Sequence, residues 1–212
     1  MNIQGLFGDV MSKYTSVFML LAILSTSANA DSGDRNGPKF VGIGISDKSG
    51  SSVALRFIPP DEDGWSIERS GLSVTLKKNS GSDSDSREIE AYLIRLDTPI
   101  SPISNYIETI RRNTVEGYAR SNKFKISTLE IAEDPKDTRC ARVHLLLEGL
   151  QPDAVVQQRK WSEQYMLSCG LLKHKGLGFE LRYYHRYLDS NKDTQFGEKA
   201  RKVLESVILE DG

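Results

Sequence analysis

Apolar and polar residues alternate with a period of two along most of this chain, which predicts strands. Leu72, Val74 and Leu76 alternate with polar neighbours, as in a strand with one buried face. Ile89, Ala91 and Leu93 form one row and Tyr92, Ile94 and Leu96 another. A strand apolar on both faces belongs inside a sheet, covered on both sides. The runs 40–46 and 52–58 read as a hairpin closed by Asp47-Lys48-Ser49-Gly50, and 65–69 with 72–77 as a second, closed by Ser70-Gly71. Pro59-Pro60 ends the first hairpin, because proline cannot donate to a ladder. Ser80-Gly81-Ser82-Asp83-Ser84-Asp85-Ser86 has nothing to bury and predicts an acidic loop. Further strands are predicted over 124–132, 140–147, 161–169 and 177–188.

The period changes twice. Ser101-Pro102 predicts a helix start, with serine as the cap and proline in the first turn, and Ile103, Ile107, Ile110, Thr114 and Tyr118 recur at helical spacing to about Arg120. A final helix follows a cap at Asp193 or Thr194, with Phe196, Ala200, Val203, Leu204, Val207 and Ile208 as its apolar stripe.

The beginning of the chain has a different character. Residues 17–24 are apolar, and Ala28-Asn29-Ala30 matches an A-x-A cleavage pattern, so residues 1–30 read as a signal peptide cut before Asp31. Met11-Ser12-Lys13 supplies the basic start that the first ten residues lack, which predicts initiation at Met11. The apolar run is too short to cross a bilayer, so no stable membrane anchor is expected, and no cysteine stands at the cleavage point for lipid attachment. Residues 31–38 are polar and turn-rich and read as a flexible tether, leaving 39–212 as one domain. The expected location is periplasmic or secreted.

Charge narrows the partners. The net charge is −1, and removing Lys13 and Asp9 with the leader leaves it unchanged, so no global field favours nucleic acid or anionic lipid. In an oxidising compartment Cys140 and Cys169 are expected to bond. If 140–147 and 161–169 pair as an antiparallel hairpin, the two thiols fall opposite each other or one position apart.

The element order is two hairpins, a strand, a helix, an antiparallel run of strands and a closing helix. Gly64-Trp65 before an alternating strand, Ser101-Pro102 after the strand ending near Asp97, and Phe179-Glu180-Leu181-Arg182-Tyr183-Tyr184 leading through Asp193 to Leu204-Glu205-Ser206-Val207-Ile208 carry a likeness. Over about residues 52–209 the chain resembles the PsbP/Mog1-like group, including the DcrB-like periplasmic proteins. That resemblance implies an α+β fold, an antiparallel β-sheet flanked by two main helices, and a binding or assembly role without shared catalytic residues.

Each candidate chemistry has a plainer reading beside it. Asp189, Asn191 and Asp193 match the opening of a calcium loop, but Thr194 and Ala200 stand where glycine and a bidentate glutamate are needed, so a polar turn is the expectation. His144, His174 and His185 are too scattered to predict a metal site, and no cofactor is called for. Asp61, Glu62, Asp63, Asp83 and Asp85 are expected to be solvated loop carboxylates. Arg182, Tyr184 and Arg186 share one face of a strand and form the candidate partner surface, while Tyr183, His185 and Tyr187 take the other.

The expectation is therefore an exported non-enzymatic protein that recognises a protein partner. Its alternatives are an immunity protein that neutralises a delivered toxin and an exported hydrolase with a non-local active site. A closed cleft holding His144 or His185 beside a carboxylate and a hydroxyl would favour the hydrolase.

Overall fold

The computed structural model describes residues 39–46, 52–82, 85–97 and 99–211. The expected signal peptide with its Ala28, Ala30 and Asp31 cleavage pattern, the tether, and Asp83 lie outside the described residues. Strands β1 (Val41–Ser46) and β2 (Ser52–Phe57) pair antiparallel from Val41↔Phe57 to Ser46↔Ser52. They form a small sheet completed by a last strand, β10 (Ile208–Asp211), on the other edge of β2.

The large sheet is antiparallel throughout. It contains β3 (Ser66–Ser70), β4 (Ser73–Ser82), β5 (Asp85–Arg95), β6 (Phe124–Glu133), β7 (Cys140–Gly149), β8 (Lys160–Gly170) and β9 (Leu177–Leu188) in the order β3-β4-β5-β9-β8-β7-β6. Helix α1 (Ile103–Ala119) packs on one face, over β6 and β7. Helix α2 (Phe196–Glu205) packs with the small sheet on the other. The class is α+β, mostly antiparallel strands with two helices.

Alternation decides which core each strand serves. Val53, Leu55 and Phe57 face Val74, Leu76, Ile89, Phe179, Leu181 and the α2 stripe of Phe196, Ala200, Val203 and Leu204. Val143, Leu145 and Leu147 point the other way and meet Ile110, Tyr118 and Met166 under α1. The double-faced strand β5 does lie inside the sheet, between β4 and β9.

Four local expectations change. Ser101 does not cap α1: Pro102 holds that position at φ −73° and ψ 147°, without a side-chain cap bond, after a cis peptide. The most buried residue of α1 is Tyr106, outside the predicted stripe, because its hydroxyl bonds Ser168 on β8. The acidic segment 80–86 is mostly strand, since β4 and β5 continue pairing past the apolar core to Ser82↔Asp85. Val207 and Ile208 are not helical. Ser206 ends α2 by donating its hydroxyl to the Val203 carbonyl at 2.7 Å while accepting from the Ile58 amide at 2.8 Å, and the chain turns into β10.

Cys140 and Cys169 stand directly opposite in register and are joined by a disulfide, with Cα atoms 4.1 Å apart. The bond closes the far end of the β7–β8 hairpin.

Candidate functional site

Two polar clusters are built on the two faces of β9, assigned by its period of two, and a third lies beyond β9, over β7 and β8. Arg182, Tyr184 and Arg186 share the face that α1 leaves uncovered among the described residues, beside Tyr92, Glu90 and Glu88 of β5. Arg182 donates to Glu180 Oε2 at 2.8 and 3.1 Å and lies 5.3 Å over the Tyr92 ring. Arg186 lies 5.1 Å over Tyr184. Glu180 also accepts from the Tyr92 and Ser168 hydroxyls, and Ser168 meets Tyr106, so the row is tied to α1.

The structure brings the three predicted surface residues into one row but not as equals. Tyr184 is only 8% exposed, because Arg186 covers its ring and Glu88 holds its hydroxyl. The two guanidinium groups, not the phenol, form the outer layer. Burial and the neighbouring Glu88 push the Glu90 carboxyl up from its ordinary value. A cation-over-aromatic ladder flanked by carboxylates is suited to recognising a polar, charged surface.

On the opposite face, Tyr183 and His185 are buried against Phe196 of α2, at ring centroid distances of 4.8 and 5.3 Å. His185 Nε2 pairs with Asp85 at 2.9 Å, and burial pulls its pKa below the ordinary imidazole value. Asp85 is therefore not a solvated loop carboxylate: it belongs to β5, within reach of a buried ring. Glu62 departs from expectation in the same way. It accepts from Lys199 at 2.8 Å and Lys78 at 2.9 Å, and Arg87 stands 3.5 Å away. Burial pushes its carboxyl up, but the two lysines outweigh burial and hold it below its ordinary value.

The third cluster lies in a cleft of about 440 Å³ between α2 and the β6–β7 edge, lined by Glu130, Arg142, His144, Tyr165, Gly197 and Arg201 among others. Gly197 lets α2 come close: a Cβ there would lie 2.7 Å from the Tyr165 hydroxyl. His144 stacks on Tyr165 and sets Nε2 3.1 Å from Glu163 and Nδ1 3.6 Å from Glu130. The hydrogen bond to Glu163 raises the His144 pKa, with smaller help from Glu130. Burial pushes the Glu163 carboxyl up, but hydrogen bonds from His144 and Tyr165 bring it below its ordinary value.

This cleft holds a histidine beside a carboxylate and a hydroxyl, an arrangement the hydrolase alternative calls for. Both ring nitrogens of His144 face carboxylates, Glu163 and Glu130, which favour its protonated form. The hydroxyl is a phenol whose pKa burial raises further, which makes it a poor nucleophile.

No family model and no curated protein matches the chain. Among solved structures, LpqN, "involved in cell envelope biogenesis of Mycobacterium tuberculosis", is similar at 12% identity and a TM-score of 0.45, over 80% of this chain and 91% of that chain. Likeness at that level bears on neither fold family nor function.

The remaining sequence candidates have plain structural roles. Asp189 accepts from Trp161 Nε1 at 2.6 Å and Arg159 Nε at 3.2 Å, and Asp193 pairs with Arg87 and Lys199 at 3.0 Å. His144 and His185 share a face but are separated by β8, with Glu163 on the strand between them. Among the described residues, no group of three or more His, Cys, Asp or Glu side chains is arranged to hold a metal ion.

Proposed function

We propose that this chain is an exported, non-catalytic binding or assembly protein that acts in the periplasm by recognising a protein partner through the open face of β5 and β9. The observation that carries the reading is the paired stack of Arg182 on Tyr92 and Arg186 on Tyr184, set among Glu88, Glu90 and Glu180. Arginine and tyrosine are enriched at interface hot spots, and a guanidinium already stacked on a ring loses little freedom on binding. The Cys140–Cys169 bond supports an oxidising, exported location. We read the layered arrangement as a PsbP/Mog1-like sandwich, with the small sheet as an addition to it.

Affinity capture from periplasmic extract tests the reading, with the wild-type chain and the Arg186→Glu variant run side by side. A stoichiometric protein that the wild type retains and Arg186→Glu loses is the expected result. No such protein, or equal retention by both chains, overturns the proposal.

A further inference from the structure

The loop between β7 and β8, at the end of the hairpin opposite the disulfide, holds apolar side chains out into solvent. Val155 is 89% exposed, and Leu150 and Val156 are each 49% exposed. The loop is built to keep them there. Asp153 Oδ1 accepts from the amides of Val155 at 2.9 Å and Val156 at 3.2 Å, and the Asp153 carbonyl accepts from the Gln157 amide at 2.9 Å. Gln157 takes a positive φ of 56° to close the turn. Ser190 then braces it, donating its amide and hydroxyl to Gln158 Oε1 at 3.1 and 2.8 Å.

Two consequences follow for anything the tip enters. The amides of residues 155–157 are already satisfied inside the turn, so transfer to a less polar medium strands none of them. Beside the loop Lys125 pairs with Glu148, Arg159 with Glu148 and Asp189, and Lys160 with Asp153, while Arg120 and Lys123 of the α1–β6 turn are exposed. Lys123 and Leu150 are joined through their backbones at 2.8 Å, which sets the basic α1–β6 turn beside the loop. This excess of cations stands out on a chain whose net charge is −1.

We infer that this tip is a reversible docking point for a lipid bilayer with anionic headgroups, the valines entering the headgroup–acyl boundary and the cations remaining among the phosphates. Such a contact is peripheral: among the described residues no helix is long and apolar enough to cross a membrane. A protruding apolar point with its amides internally satisfied and a basic collar matches a bilayer in both polarity and charge.

The native cysteines are bonded to each other, so Val155→Cys gives a single thiol for an environment-sensitive fluorophore; Glu198→Cys on α2 serves as control. Titration with vesicles of equal phosphatidylcholine and phosphatidylglycerol at low salt should blue-shift the label at 155 and leave the one at 198 unchanged. Phosphatidylcholine alone should give no shift. Adding Arg120→Glu and Lys123→Glu should raise the lipid concentration needed by about tenfold or more. No shift at 155, an equal shift at 198, or insensitivity to the charge reversals overturns the inference, and loss of a protein partner in the capture experiment leaves it standing. Circular dichroism of each labelled chain verifies that these surface changes leave the fold intact.

Discussion

His144 lies flat on Tyr165, with ring centroids 4.4 Å apart and planes within 13° of parallel. The stack fixes the imidazole edge-on to Glu163 and Glu130, whose charges raise its pKa, the Glu163 hydrogen bond most of all. A raised histidine pKa contributes stability that is complete below the unfolded value and lost as pH climbs through the folded one. His185 has the opposite sign: burial lowers its pKa, so its share is present above the ordinary imidazole value and is lost as pH falls through the folded one. Melting temperatures between pH 5 and 9 check both. His144→Gln should lose more stability at pH 5.5 than at pH 8.5, and His185→Gln should flatten the acid limb.

Gly170 leaves room for Ile100. A Cβ at 170 would lie 1.7 Å from Ile100 Cδ1 and 3.3 Å from its Cβ, so the Ile100 side chain must turn away and its Cβ give by a few tenths of an ångström. Gly170→Ala should therefore cost roughly 1–3 kcal/mol, as overpacking does. Ile100→Ala in the same chain should recover much of that loss. A double-mutant cycle in urea measures the coupling, and additive losses would show that the two residues do not meet.

Reducing the Cys140–Cys169 bond, or replacing both residues with alanine, should destabilise the domain by about 3–4 kcal/mol, the loop-closure value for a separation of this size. The sequence separation is 29. Urea unfolding with and without reductant gives the number.

Tyr106 ties α1 to the sheet through a 2.6 Å hydrogen bond to Ser168, and burial pushes its hydroxyl pKa up to about 12. Tyr106→Phe should cost about 1 kcal/mol, because Ser168 keeps a second partner in Glu180. Tyr106→Ala removes the ring as well and should cost about 3–5 kcal/mol. Thermal unfolding distinguishes the two.

These positions show what the chain reveals in one dimension. Strand β9 was legible end to end, and the Cys140–Cys169 register with it, because strict alternation and adjacent turns are local signals. Ile208 was misplaced because its spacing continues the α2 stripe, while its actual partner, Arg56, lies in a strand far upstream. Glu62 and Asp85 looked like solvated loop residues because Lys199 and His185, which engage them, are remote in sequence. The His144–Glu163 pair was missed for a subtler reason: they are diagonal, not directly opposed, across β7 and β8. Tyr184 shares a face with Arg182 and Arg186 but is covered by Arg186, two positions away, which alternation alone does not reveal.

Strand β10 gives the small sheet its third member, and the Arg56–Glu210 ion pair that seals it joins residues 154 positions apart. A ribosome that has synthesised everything through α2 has still not produced the partner for one edge of β2. Until residues 208–211 emerge, β2 keeps that edge unpaired. The small sheet is thus completed through a contact of very long sequence separation, which makes its closure a slow step in folding compared with the local hairpins.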